Sequence, residues 1–322
     1  MMVSLFWIVA ILLGVSGIVW GAEAFAKHMA VAASQLGVST FALALLLAGA
    51  EPEELATAIT ASVRHAPAIA LGDVIGTNVT ICLVALGVGA LIAPLPFRTK
   101  VLRYALLGLP LGVIGAWFAW DGNVTRVEGA ILVFLYIAYV AMIWIIERKP
   151  PSLGETEEIE EAIQAGHAEH PRRLGPEILL VLAGLAAMAV GSMVLVESTR
   201  RIAPTESGQA TLGLTLVGFA TGFELVVLAW STARHGASEA AIAAVVGSFA
   251  YNTTMTLGAA AVIHPLVLYQ AVQMRMPFVL MIASLGLVIA LALRRRELGR
   301  STGAILLVSY GSFVGYILLR KF

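Results

Sequence analysis

The chain has 322 residues, 59% of them apolar and only 12% charged, with 20 basic residues balanced by 20 acidic ones. A soluble domain of this length needs more polar surface than that, so the composition places the chain in lipid. Neither the zero net charge nor any basic tract suggests a nucleic-acid partner, and the single cysteine, Cys82, excludes a disulfide framework and a zinc-type spacing.

A helix needs about 20 apolar residues to cross the hydrocarbon core. In chain order, ten stretches qualify: 4–21, 37–62, 67–92, 102–119, 127–146, 177–197, 210–233, 237–263, 272–293 and 302–319. The first could pass for a signal peptide, but it lacks a basic flank and further spans follow, so it reads as a transmembrane helix. The long break from Glu147 to Pro176 carries Pro150-Pro151 and the acidic run Glu155-Thr156-Glu157-Glu158-Ile159-Glu160-Glu161. It divides the chain into a first five-helix unit (1–146), an acidic linker (147–176) and a second five-helix unit (177–322). The acidic run reads as a solvated linker rather than a cation sensor. With the N-terminus outside, 13 of the 20 basic residues fall on the inner side, which predicts a cytoplasmic linker and a multi-pass protein of the plasma membrane.

The two units are weakly self-similar at an offset of 170 to 171 residues. Gly21 matches Gly191, Glu54-Leu55 matches Glu224-Leu225, and Gly76-Thr77 matches Gly247-Ser248. An odd number of spans per unit would set the two units in opposite orientations. Inverted repeats of that kind place substrate sites at the midplane, where helices are broken.

Polar residues inside the spans fall at matching places. Span two reads Gly49-Ala50-Glu51-Pro52-Glu53-Glu54-Leu55, and span seven reads Gly218-Phe219-Ala220-Thr221-Gly222-Phe223-Glu224-Leu225. A carboxylate at the bilayer centre costs roughly 2.5–3.5 kcal/mol or more, so Glu54 and Glu224 are read as functional. Glycines and Pro52 break the helices and free carbonyls, and freed carbonyls beside carboxylates suit hard cations. Spans three and eight add Asp73, Thr77, Asn78 and Thr80, and Ser248, Asn252, Thr253 and Thr254. Helix-packing glue is the competing reading for those hydroxyls and amides. Glu51, three residues before Glu54, can share the site. Glu53 is expected on another side or in a vestibule, Asp73 at the interface, and all six histidines in solvent.

At these residues the chain resembles the calcium/cation antiporter superfamily, the group containing sodium/calcium exchangers. The resemblance implies ten spans in two inverted five-helix repeats, each with a Gly-Thr-Ser-Leu-Pro-Glu-type motif in its second helix and a Gly-Asn-x-x-Gly-Ser-type motif in its third. Gly49 to Glu54 and Gly72 to Thr77 take those places in the first half. Leu214 to Leu225 and Val246 to Asn252 take them in the second. Carried over by position, Glu54 and Glu224 are the central acidic ligands, Thr77 and Ser248 hydroxyl ligands, and Asn252 a carboxylate-or-amide ligand. Glu51, Asn78 and Thr221 complete the candidate cation set. The motif departs from the family at Ala50-Glu51-Pro52-Glu53, and the polar position five residues after Gly76 falls on Ile81.

The expected function is therefore secondary antiport: Ca2+ or another divalent cation exchanged for Na+ or H+. A monovalent cation/proton exchanger is the alternative. An intramembrane enzyme or a non-transporting scaffold is a remote third reading, since no His-Glu-x-x-His set is present and the polar site is retained. No phosphate-binding Gly-x-x-x-x-Gly-Lys-Ser/Thr segment supports ATP-driven transport. No cofactor is expected beyond transiently bound cations. The expected partners are those ions and the lipid bilayer, with a monomer as the working assembly.

Overall fold

The computed structural model describes residues 2–36, 50–148, 174–235 and 238–320. The opening of the second predicted span, with Gly49, and the acidic run 155–161 lie outside the described residues.

Among the described residues, ten helical tracts follow in order: α1 (Met2–Gln35), α2 (Pro52–Val63), α3 (Pro67–Ile92), α4 (Thr99–Phe118), α5 (Arg126–Glu147), α6 (Leu174–Ile202), α7 (Glu206–His235), α8 (238–263), α9 (Ala271–Arg295) and α10 (Arg300–Leu319). Local chemistry sets several boundaries. Pro52 and Pro67 occupy the first turns of α2 and α3, where a missing N–H costs nothing. Thr125 and Glu128 close a reciprocal capping box at the start of α5. Arg148 and Arg296 end α5 and α9 in the left-handed conformation.

Eight of these tracts are long and apolar enough to span a bilayer, which makes this an all-α, multi-pass membrane protein. Of the other two, α2 has 12 residues, fewer than a full crossing needs. The other, α8, carries Asn252, Thr253, Thr254 and Thr256 in its middle, which lowers its apolar character. The first helix runs well past the predicted end at residue 21, so Lys27 and His28 are helical rather than in a loop.

Burial separates a centre from a periphery. About 83% of the apolar span of α3 is covered by protein, against 28% for each of α1, α6 and α10. Single π-helical turns interrupt three of the helices that carry the predicted polar residues: Ile81–Ala85 in α3, Gly213–Val217 in α7 and Asn252–Thr256 in α8. Such turns inside α-helices often mark functional positions. Two short antiparallel ladders tie the loops: β1 (Leu95–Pro96) pairs with β4 (Glu297–Leu298), and β2 (Asn123–Val124) with β3 (Leu266–Val267).

Glycines set the closest helix contacts, because backbones that touch leave no room for a side chain. Between α1 and α6, a β-carbon on Gly14 would sit 2.9 Å from the Gly191 carbonyl oxygen, and one on Gly184 would sit 2.7 Å from that of Gly21. The two helices thus run antiparallel. Gly87 of α3 meets Gly303 of α10, and Gly129 of α5 meets Gly258 of α8, in the same manner. At the centre, α3 and α7 cross through Gly72, Gly76, Gly213 and Gly218. There a β-carbon on Gly76 would lie 2.6 Å from the Leu214 carbonyl oxygen, and one on Gly218 2.5 Å from the Thr77 nitrogen.

Candidate functional site

The acidic motif of α2 sits at a helix start, not within a helix. Ala50 and Glu51 are non-helical, with Glu51 at φ −118° and ψ 83°, and the helix begins at Pro52. Proline at that point ends any incoming helix and restricts the residue before it to extended backbone. Glu53 and Glu54 therefore occupy the first turn of α2, where free N–H groups and the helix dipole favour negative charge. The second half repeats the device. In α7 the helix breaks at Gly222, and Glu224 lies in the first turn of the piece Phe223–His235.

These acids converge from both halves. Glu54 and Glu53 are each 2% exposed, and Glu51 is also buried. Glu54 lies within electrostatic reach of Glu53, Asp73 and Glu224, and Glu51 within reach of Glu53, Glu54 and Glu224. No basic side chain pairs with Glu51, Glu53, Glu54 or Asp73 among the described residues. Neither carboxylate oxygen of Glu54 has a hydrogen-bond partner, although the Asn252 amide stands beside it. Buried polar oxygens are nearly always satisfied, so oxygens placed like these are suited to take up a proton or a cation.

Neutral oxygens line the same region. The Thr221 hydroxyl donates to Asp73 Oδ1 at 2.9 Å and lies 2.8 Å from the Thr77 hydroxyl. On α8, the Asn252 amide donates to Ser248 Oγ at 3.3 Å, and Thr256 donates to Asn252 Oδ1 at 3.2 Å, which fixes the orientation of that amide. No three His, Cys, Asp or Glu side chains among the described residues are gathered tightly enough to hold an ion by themselves. A cation here would need hydroxyl, amide or carbonyl oxygens in its shell.

The predicted set thus divides. Glu54, Glu51, Glu224 and Asn252 come together, Thr77 meets Thr221 across the two halves, and Ser248 holds Asn252. Asn78 is not drawn into this group: its amide turns toward α9 and contacts Met281 Sδ at 3.6 Å. Three expectations are corrected. Asp73 is not interfacial but 1% exposed, because the first turn of α3 is itself enclosed by protein. Glu53 does not face a separate vestibule; it is buried beside Glu51, Glu54 and Asp73. His28 is not a solvated loop residue but pairs with Glu177 of α6 at 2.6 Å. Ile81 is fully buried, and its Cγ2 would lie 3.2 Å from a β-carbon on Gly222, so an apolar group abuts the break in α7.

A bundle of apolar helices encloses an oxygen-lined centre in which Glu51, Glu53, Glu54 and Asp73 have no basic partner among the described residues, an arrangement suited to cations. The profile of the family described as sodium/calcium exchanger protein matches residues 6–145 and 177–319, and the chain belongs to that family. Among curated relatives, it is 27% identical over 344 aligned positions to the sodium/calcium exchanger MaX1 of Methanosarcina acetivorans, covering 94% of this chain and 96% of that one. It is also 27% identical over 221 residues to the inner membrane protein YrbG of Escherichia coli, covering 67% of each. The fold matches that of the sodium-calcium exchanger NCX_Mj, with a TM-score of 0.63 at 20% identity over 97% of this chain and 98% of the other. Membership of an exchanger family sets the enzyme reading aside.

Proposed function

We propose that the chain is a secondary active antiporter that moves Ca2+, or another divalent cation, in exchange for Na+ or H+ by alternating access. Glu54 and Glu224 are its central ligands. The observation that carries this reading is Glu54: a carboxylate 2% exposed, with both oxygens unpartnered, within reach of Glu224 from the other half of the chain. Two facing glutamates neutralise one divalent ion, or two monovalent ions or protons, which is the charge balance that exchange requires. Glu51, Asn252, Thr77, Thr221 and Ser248 supply or orient the remaining oxygens.

The architecture proposed is ten transmembrane helices in two inverted five-helix repeats, 1–146 and 177–322, joined by the acidic linker. Reciprocal contacts support it. At the sequence offset, Gly14 corresponds to Gly184 and Gly21 to Gly191, and the contacts are Gly14 with Gly191 and Gly21 with Gly184. Exchanging the halves converts one contact into the other. With the offset at 171 for Gly87 and β1 and widened to 174 for the last helix of each half, the same exchange carries the Gly87–Gly303 contact onto Gly258–Gly129, and the β1–β4 ladder onto β3–β2. Antiparallel α1 and α6 accord with opposite orientations of the two repeats. Two halves that can trade conformations supply alternating access. The placement proposed is the plasma membrane, with the N-terminus outside and the linker in the cytoplasm.

A second reading, monovalent cation/proton exchange on the same fold, is favoured by Ile81 and by the additional acids Glu51, Glu53 and Asp73, which alter the ligand set. Flux into proteoliposomes loaded with a calcium dye separates the two. Calcium uptake only when Na+ or H+ runs the other way is the expected result. No calcium movement under either gradient by folded protein, with monovalent cations exchanged for protons instead, would select the second reading.

A further inference from the structure

The last two helices are joined by a short loop, 296–299, and leave a cavity of about 350 Å³ between them. Val79 and Leu83 of α3 form its floor, and Met276, Leu280 and Leu287 of α9 and Phe313 of α10 line its walls. From Met276 to Leu287 the α9 wall rises eleven residues, about 16 Å. The hydrocarbon core is about 30 Å thick, so the groove has roughly the depth of one leaflet. Its hydroxyls are satisfied within their own helices. Ser284 donates to the Met281 carbonyl at 2.7 Å, Ser309 to that of Ile305 at 2.8 Å and Ser312 to that of Val308 at 2.9 Å. Hydroxyls bonded back to their own turn ask nothing of an occupant, so the groove suits an apolar chain.

A second observation concerns its mouth. Because the loop joins the other ends, α9 begins at the membrane face where α10 finishes. Two arginines stand there. Arg320 donates to the hydroxyl of Tyr316, which lines the groove, and its guanidinium lies 5.5 Å from that ring's centroid. Arg275, next to the lining residue Met276, donates from Nε to the Trp120 carbonyl at 3.3 Å and lies 5.5 Å from the Trp120 ring centroid. Aromatic rings and arginines at this level are the pattern of a membrane interface. Neither guanidinium forms an ion pair among the described residues. The carboxylate at the start of α9, Glu206, is held instead by the Tyr269 and Gln270 backbone N–H groups. A guanidinium without a carboxylate partner suits a phosphate, which it can bind through two parallel hydrogen bonds.

We propose that the groove between α9 and α10 holds one acyl chain of an anionic phospholipid, whose headgroup phosphate is bound by Arg275 and Arg320. The leaflet-deep apolar groove and the basic pair at its mouth match the two parts of that one molecule. Its consequence is that lipid packs against α3, the most enclosed helix, at Val79 and Leu83, and Leu83 lies within the π-helical turn Ile81–Ala85. The proposal stands whichever cation the acidic centre carries.

The test uses the purified full chain in detergent. Thermal unfolding is titrated with phosphatidylglycerol, with phosphatidylcholine of the same chains and with inorganic phosphate. A ligand bound only by the folded state raises the unfolding temperature. Phosphatidylglycerol should stabilise the wild type at a lower concentration than phosphatidylcholine, and inorganic phosphate should not stabilise it. In the double variant Arg275→Gln with Arg320→Gln, the phosphatidylglycerol midpoint should rise by about tenfold or more and meet that of phosphatidylcholine. If the double variant does not fold, Arg320→Gln alone carries the test, with a rise of about threefold or more. Ala283→Phe, which puts a ring into the groove, should weaken the response to both lipids while the lipid-free unfolding temperature holds or rises. Equal responses to the two lipids in the wild type overturn the proposal, as does an unshifted arginine variant. Stabilisation by inorganic phosphate, or an unchanged lipid response in Ala283→Phe, would mean that the arginines bind phosphate without a chain in the groove, and also overturns it. A self-association that Ala283→Phe abolishes would give the groove to a second copy of the chain and overturn it too.

Discussion

The seam between α1 and α6 and the crossing between α3 and α7 use one device to different ends. In both, glycine lets backbones touch across the two halves of the chain. In the seam the contacts fall every seven residues: Gly14 on Gly191, Gly21 on Gly184, then His28 on Glu177. Seven residues are nearly two helical turns, so the three rungs lie on one stripe, and two of them are bare backbone. In the crossing, the same closeness brings Thr77 against Thr221 and both against Asp73. A smooth apolar seam at the periphery tolerates relative movement, while an oxygen-lined crossing at the centre demands fixed geometry. Close approach is therefore a means, and what the glycines bring together decides the role.

The largest effect that would sharpen this contrast is electrostatic. Glu54→Gln and Glu224→Gln should each abolish exchange, by roughly a hundredfold or more, which corresponds to about 2.7 kcal/mol. For Glu54→Gln the thermal midpoint in detergent should hold or rise, because a buried carboxylate with no basic partner among the described residues is removed. Normal flux through either variant would deny the centre its special status.

Next comes sterics. Gly76→Ala and Gly218→Ala place a methyl against backbone at 2.6 and 2.5 Å, with no flexible side chain to yield. Each should cost about 1–3 kcal/mol and lower the midpoint by several degrees. Gly21→Ala, 2.7 Å from the Gly184 carbonyl oxygen, meets an equal clash. There two peripheral helices can shift apart into lipid, so its loss should be about half as large. Gly286→Ala, with no atom within 4 Å, should be silent. Equal losses at the seam and the crossing would erase the distinction drawn between them.

Much of the fold is legible in the sequence, because apolar runs of spanning length and matched motifs survive without any tertiary information. The misses have local causes. The apolar run ends the first predicted span at residue 21, ahead of Lys27 and His28, yet the helix continues and His28 is enclosed against α6 and paired there. On a regular helix Glu51, Glu53 and Glu54 could not all face one point, which is why the sequence alone sets Glu53 apart. Glu51, however, precedes the helix in non-helical backbone, so that restriction does not apply. Asp73 lay too near the predicted start of its span, and only the packing around Ala66 and Ala68 shows that this start is enclosed. Glu54, Glu224, Asn252, Thr77 and Thr221 were legible because they recur at a fixed offset or in a motif. Asp73 has no such echo, since the corresponding residue of α8, Ala244, is apolar.

The smallest effect probes the one polar rung of the seam. His28 and Glu177 meet at 2.6 Å with side chains 17% and 7% exposed, so the pair is mostly withdrawn from solvent. His28→Ala removes this hydrogen bond from the Glu177 carboxylate and should destabilise by about 1–2 kcal/mol, as loss of a charge-assisted hydrogen bond does. The double variant His28→Ala with Glu177→Leu removes both polar groups of the rung and should recover part of that loss. A thermal midpoint of the double variant no higher than that of His28→Ala would mean that the rung positions α1 by shape rather than by charge. The seam would then be steric along its whole length, and charge would matter only where α3 crosses α7.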